Sequence, residues 1–464
     1  MKRAILYIFV LALAASTALP FAQISSAATV NVRHTVLAAS GDASPIGGHY
    51  LPFSFNNLSL NARHDVAFDA SIGAPNFTTG VFVNDGKTTS AVALGVNPDP
   101  AGPSFGSATN PFITPNGDVF FDANGSDTYQ SDGKTIVPIV RDGDEAPGGG
   151  TLSPFGRITN DHGVIAYNAF LSGSTATQAI FRNDGAQSVA IARDDVNAPT
   201  GGVFTFLGSP VLNDRGQVAF YSNMSGGSGD FGIFRGDGSE LKPVFVANQS
   251  APGGGTFEDF GNPVISKSGQ VAASASLTNS TSGFGLFIGD GTNTAAIALG
   301  GQAAPKGGNY DRGFFTPLRI NDNGDVAFFV GLTGTASRFG LFRGNSASTT
   351  PIALTGSNAP GTTGTFDSFR DFQILNDGRI AVIATLTVGV GGVNTSNNMG
   401  IWIGTSDQDL QLVVRTGDVI DGRVLTRLPQ FSQGNQFVIN ENGIAWVGIF
   451  GATKAVVYTT VGLD

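Results

Sequence analysis

A phrase of eight residues, Asn-x-x-Gly-x-Val-Ala-Phe, returns along this chain at nearly constant spacing and constrains its fold more than any other feature. The clearest copies are Asn213 to Phe220 (NDRGQVAF) and Asn321 to Phe328 (NDNGDVAF). Looser copies run from Asn61 to Phe68, Thr114 to Phe121, Asn160 to Tyr167 and Ser266 to Ala273. Two more, with one-residue slips, run from Asn376 to Val382 and from Asn440 to Trp446. The glycine slot falls at 64 (a His), 117, 163, 216, 269, 324, 378 and 443, in steps of 53, 46, 53, 53, 55, 54 and 65. A fixed period of this kind means that each repeat is one supersecondary unit, unable to bury its apolar face without its neighbours.

Each period holds four short apolar runs bounded by Gly, Asn, Asp or Pro. In one repeat or another these are Pro210-Val211-Leu212, the Val-Ala-Phe run, Gly232 to Arg235, and Ala296 to Leu299. Their β-branched and aromatic content reads as strands, and no segment after residue 28 keeps a 3.6-residue apolar period. Four strands per unit, repeated radially, predict an all-β fold: an eight-bladed β-propeller with four antiparallel strands per blade. A parallel β-helix is the rival, with shorter and less hairpin-like coils. The ends of the chain favour the ring. Thr35-Val36-Leu37-Ala38 resembles a fourth strand, and Ala455-Val456-Val457-Tyr458 a third. The last blade is therefore expected to be closed by the N-terminal strand, which leaves no free edge. Seven blades plus an odd repeat is the fallback, because the 65-residue step hides an irregularity.

Residues 1–28 read as a signal peptide: Lys2 and Arg3, an apolar run from Ala4 to Ala15, then Ser26-Ala27-Ala28 as a cleavage site. Residues 29–464 then form a single propeller domain, secreted or held in a bacterial cell envelope, with no membrane span after cleavage. Cysteine is absent, which excludes disulfides, thiolate metal sites and a cysteine nucleophile. A net charge of −10 argues against a nucleic-acid surface. No cofactor is expected, and the domain is expected to be a monomer.

These repeats resemble a family of exported bacterial proteins named for a tandem NxxGxxAF repeat, across nearly all of residues 29–464. The resemblance implies a propeller outside the cytoplasm and no assigned activity. The phrase is also similar to the Ser-Pro-Asp-Gly-x-x-Ile-Ala-Phe phrase of TolB-type propellers. That likeness implies a turn between a blade's innermost and second strands.

The motifs favour structure over chemistry. In Asn-x-x-Gly, the Asn can bond its own backbone two residues on, and Gly supplies a positive φ for a tight turn. Asn321 to Asp325 lacks the spacing of a calcium loop, and Asp142-Gly143-Asp144-Glu145 is weak as a metal site. Ala-Pro-Gly-Gly-Gly, at Ala146 to Gly150 and Ala251 to Gly255, predicts a type II turn between one blade's last strand and the next blade's first. The loops between second and third strands are long and dissimilar: Ser71 to Gly80, Ser222 to Asp230, Thr278 to Gly283 and Thr387 to Met399. Dissimilar loops on a repeated scaffold are where binding concentrates; tolerated insertion is the plainer reading.

Counting seven back from each glycine slot gives Asn57, Asn110, Gly156, Ser209, Asn262, Pro317, Asp371 and Gln436. Six of these can hydrogen-bond where the innermost strands begin, either as a polar ring at the axial mouth or as partners for strand-end backbone. Arg157, Arg319 and Arg370 fall on predicted innermost strands, as channel charges or as inter-blade salt links. The histidines, His34, His49, His64 and His162, come with no Gly-x-Ser-x-Gly elbow. The leading expectation is a non-enzymatic propeller that binds a glycan or a protein partner through its loop-bearing face. The alternative is a glycoside hydrolase or polysaccharide lyase using two channel carboxylates.

Overall fold

The computed structural model describes residues 30–100, 102, 104–313, 315–429 and 435–463. The expected signal peptide, residues 1–28, lies outside the described residues. Eight four-stranded antiparallel sheets stand in a ring, the first seven ordered from the axis outwards along the chain. In the first blade these strands are Leu58–Leu60, Val66–Ile72, Thr78–Asn84 and Thr89–Leu94. The innermost strand is interrupted in the fourth, fifth and sixth blades, where two pieces pair with one second strand. The eighth blade runs Phe437–Asn440, Gly443–Phe450, Thr453–Leu463, and then Val30–Ala39 as its outermost strand. That last pairing is antiparallel, from Asn31 opposite Gly462 to Ala39 opposite Ala455. The count is therefore eight, and the first strand of the chain closes the ring. The 65-residue step holds a small extra hairpin, Val419–Ile420 with Arg423–Val424, between the seventh and eighth blades.

The repeated aromatic explains why each blade packs. Phe68 lies opposite Phe82 across the two central strands, and the rings stack at 5.8 Å. The same cross-strand pair recurs as Phe121–Tyr129, Tyr167–Phe181, Phe220–Phe234 and Phe328–Phe342. Such pairs are a main source of sheet stability. Where the repeat loses the aromatic, its partner supplies a large ring: Ala273 faces Phe287 and Val382 faces Trp402. In the eighth blade Trp446 faces Val457. Summed volume is thereby kept, the condition under which cores tolerate substitution.

The Asn of the repeat does more than shape its turn. Asn213 Oδ1 accepts from the Arg215 and Gln217 amides at 3.1 and 2.9 Å, as the turn reading predicts. Its Nδ2 donates to the Ser266 carbonyl, the same position in the next blade, at 2.9 Å. Equivalent stitches run from Asn61 to Thr114, Asn160 to Asn213, Asn321 to Leu375 and Asn440 to Asn61. The last of these joins the eighth blade to the first. Leu375 occupies the seventh blade's slot, which accounts for the one-residue slip there. Arginines make a parallel set of links: Arg235 reaches the Asp290 carbonyl and Arg343 the Gly378 carbonyl, each in the following blade.

The Pro-Gly connection is a type II turn as expected. Gly149 donates to the Ala146 carbonyl at 2.9 Å, and Gly148, between them, sits at φ +90°. Antiparallel order places these connections and the second-to-third strand loops on one face. The Asn-x-x-Gly turns lie on the other. The second strands extend further into the loops than the sequence suggests: Ile72 still pairs with Thr78, and the first loop shrinks to 73–77.

Candidate functional site

The innermost strands bend at the loop-bearing end. Their pairing shifts register between Thr109 and Phe112, and between Phe155 and Ile158. Asn110 sits at φ +52° in the first of these bulges, a conformation Asn tolerates better than most residues. Bulges re-aim side chains, and here two of the sequence-selected residues meet. Asn110 Nδ2 donates to Asp122 at 2.7 Å, and Arg157 Nε donates to the same carboxylate at 2.6 Å. Arg157 also donates to the Asn110 carbonyl and to Thr159 Oγ1. Its side chain is only 6% exposed, so the pair is an inter-blade salt link with little screening.

Arg319 makes the matching link between the sixth and seventh blades, 3.5 Å from Asp371. It also lies 5.9 Å from the centre of the Phe372 ring, within cation–π range. Burial holds the Asp371 carboxyl above the ordinary carboxylate range, against the pull of Arg319. Arg157 and Arg319 thus each bridge two blades and also line the central cavity, whereas Arg370, the third arginine expected there, is exposed and is not among the described lining residues. That cavity, about 490 Å³, is lined by Ser59, Asn110, Arg157, Thr159, Arg319, Gln373 and Asn435 with apolar strand residues between them. No carboxylate is among its described lining residues.

The other sequence-selected positions disperse. Asn57 Nδ2 donates to Asp69 at 2.6 Å, and its Oδ1 accepts from the Asn435 amide, joining the first blade to the eighth. Gln436 is buried and lines a different, smaller cavity. Ser209 and Asn262 are exposed on the fourth and fifth blades and do not line the central cavity. A single polar ring therefore does not assemble. The bulges differ from blade to blade, so equal spacing in sequence does not place side chains at equal heights.

The sequence reading missed the residue that follows each Val-Ala-Phe: Asp69, Asp122, Asn168 and Tyr221. Each reaches the next blade's first strand. Asp69 accepts from the Asn110 amide, Asp122 from Arg157, and Asn168 donates to the Leu207 carbonyl. Tyr221 donates to Asp259. A polar residue at one phase of an otherwise apolar strand was the available signal. Beside Asp122 and Arg157 opens a second cavity of about 160 Å³, lined also by Ser126, Thr128 and Phe155. Phe155 stacks at 4.8 Å on Phe170, which is 59% exposed.

On the opposite face, the residues after the repeat Asn form an acidic rim: Asp161, Asp214, Asp322 and Glu441, with Lys267 between Asp214 and Asp322 at 3.8 and 3.9 Å. Desolvation, then repulsion from Asp214, raises the Asp161 carboxyl above its ordinary 3.8. The folded state therefore holds this proton to higher pH than the unfolded chain does. The ionised carboxylate destabilises the fold above the folded value, and the penalty vanishes below about 3.8. Asp161→Asn is thus expected to raise the melting temperature at neutral pH and to lose that advantage in acid. Melting curves across pH check this; an advantage that persists in acid would refute it.

A sequence profile for a family of unknown function, DUF7453, matches residues 123–450. The chain belongs to that family. Among curated proteins, none matches this DUF7453 chain. Solved structures share its architecture distantly. The β-propeller domain of the Trilobed protease from Pyrococcus furiosus is 12% identical, covering 79% of this chain and 99% of that one, with a TM-score of 0.41. A polysaccharide lyase of the PL25 ulvan lyase family is 9% identical, with coverages of 83% and 96% and a TM-score of 0.33. A Mycobacterium tuberculosis puromycin-hydrolyzing peptidase is 12% identical at a TM-score of 0.41. The DUF7453 chain covers 85% of its own length in that match but spans only 49% of the peptidase. Similarities this slight say nothing of ligand or reaction.

Proposed function

We propose that this DUF7453 protein is an exported, monomeric, non-enzymatic propeller that binds a glycan in its central channel, at the end where the innermost strands run into the Asn-x-x-Gly turns. The observation that carries this reading is the lining of the 490 Å³ cavity: two guanidinium groups, three amides and two hydroxyls, with no carboxylate among the described lining residues. Guanidinium, amide and hydroxyl groups donate and accept in the fixed directions that sugar hydroxyls and ring oxygens need. The two arginines are already held by Asp122 and Asp371, so little side-chain freedom is lost on binding. Phe170, exposed and stacked on the half-buried Phe155 of the third blade's innermost strand, offers an apolar platform for a sugar face. Export rests on the signal-like residues 1–28.

A hydrolase would need two carboxylates facing the ligand, and none is among the described lining residues of this cavity. The test is a thermal-shift screen of residues 29–464 against neutral and acidic oligosaccharides. A ligand at a hundredfold its Kd adds about 2.7 kcal/mol of stability. Arg319→Ala is expected to weaken a hit roughly tenfold, the size of one charge-assisted hydrogen bond. Failure of every oligosaccharide to shift the transition would overturn the glycan reading in favour of a protein partner. Cleavage of a bound oligosaccharide would overturn the non-enzymatic one.

A further inference from the structure

A further, small pocket lies on the eighth blade, and none of its lining residues is shared with the channel cavity. Its polar groups are Arg427, Gln436 and Lys454; Leu428, Pro429, Val447 and Ile449 form the apolar walls. Gln436 is 5% exposed, and its Nε2 is a buried donor without a partner. A native fold rarely leaves such a donor unmet, because desolvating it without a bond is costly. The residue is held in place, since its carbonyl accepts from the Val447 amide at 3.0 Å. Arg427 is anchored by two backbone hydrogen bonds with Ile449, at 3.2 and 3.0 Å. Lys454 Nζ donates to Asn56 Oδ1 at 3.0 Å.

We propose that Arg427, Gln436 and Lys454 form a binding site for a small carboxylate. The three supply a planar guanidinium fork, an amide N–H and an ammonium, all donors of the kind that carboxylate oxygens accept. No ion pair joins Arg427 or Lys454 to a carboxylate among the described residues, although this acidic chain has 35 Asp and Glu against 25 Lys and Arg. Burial lowers the Lys454 ammonium from its ordinary range while Asp69 pulls it back; a bound anion would add to that pull. The cavity of about 50 Å³ exceeds the roughly 10–15 Å³ that one water needs, so it has room for a carboxyl group. Leu428, Val447 and Ile449 suit a short apolar stem beyond it. The apolar walls favour a carboxylate over phosphate, which would leave oxygens facing hydrocarbon.

The test follows the Gln436 side-chain amide by NMR in the isotope-labelled protein, the signal being assigned by its loss in Gln436→Leu. Sodium propionate is titrated against sodium chloride at matched ionic strength. A saturable propionate shift is expected, weakened roughly tenfold in Arg427→Gln and again in Lys454→Met, the size expected for a charged hydrogen bond. Spectra unchanged outside the pocket show that both variants are folded. A propionate response no larger than that of chloride would overturn the proposal, as would affinity in both variants unchanged from the parent. Tighter binding of inorganic phosphate than of propionate would overturn the assignment to a carboxylate. The channel residues Arg157 and Arg319 are untouched, so failure here leaves the glycan reading standing, and the reverse also holds.

Discussion

Asn213→Ala should destabilise the protein by about 3–5 kcal/mol, because it removes four hydrogen bonds at a site that water barely reaches. Asn213 is 4% exposed. The alanine leaves the Arg215 and Gln217 amides without their acceptor, and the Ser266 carbonyl and Gln217 Oε1 without their donor. The repeat supplies its own intermediate. In the fifth blade Ser266 fills the slot, and its hydroxyl accepts from the Gln270 amide at 3.1 Å. Asn213→Ser should therefore keep part of the turn and lose the stitch to the next blade, at roughly half the cost of alanine. Asp214→Ala, one residue along on the half-buried rim, loses only the 3.8 Å ion pair with Lys267 and one long hydrogen bond from the Asp161 amide, and should cost about 1 kcal/mol or less. Chemical denaturation of the three variants orders them. If alanine and serine cost the same small amount as Asp214→Ala, the stitches contribute nothing and the ring is held by the aromatic pairs alone.

A chain beginning at residue 40 should lose on the order of 5 kcal/mol or more, judged from the apolar area that the outermost strand of the eighth blade covers. Ala38 and Ala39 are buried in that strand, and opposite it Ala455 and Val457 are fully buried. Without residues 30–39, the strand Thr453–Leu463 becomes a long open edge, a template for pairing between molecules. The expected result is a lower melting temperature together with concentration-dependent association. A synthetic peptide of residues 30–39 should restore both, because it fills the vacant ladder. A truncated protein that melts like the longer one and stays dispersed would show that the ring does not depend on its N-terminal strand.

Architecture was far more legible than the site, and the reason is visible residue by residue. The period, the four runs per repeat and the complementary ends all report on burial and strand pairing, which the repeat enforces in every blade. Phe68, Phe220 and Phe328 recur because each must fill the same space against Phe82, Phe234 and Phe342. Asn61, Asn213 and Asn321 recur because one side chain closes a turn and reaches the next blade. Of the candidate binding residues, Asn110 from the expected ring and Arg157 and Arg319 from the expected channel charges meet in one cavity, whereas Ser209 and Asn262 do not. Repeat phase places a residue along a strand but not its height or direction at a bulge.

From sequence alone follow an all-β ring of repeats, the strand that closes it and the structural role of the Asn-x-x-Gly turn, since local pattern and burial decide these. Only the tertiary structure decided which polar groups share a cavity, that Asp69 and Asp122 organise the channel mouth, and that Gln436 holds a buried unmet donor on the eighth blade. Those depend on contacts between blades that lie about one repeat or the whole chain apart, as in the Asn440 to Asn61 stitch, and on register shifts that no periodic pattern encodes.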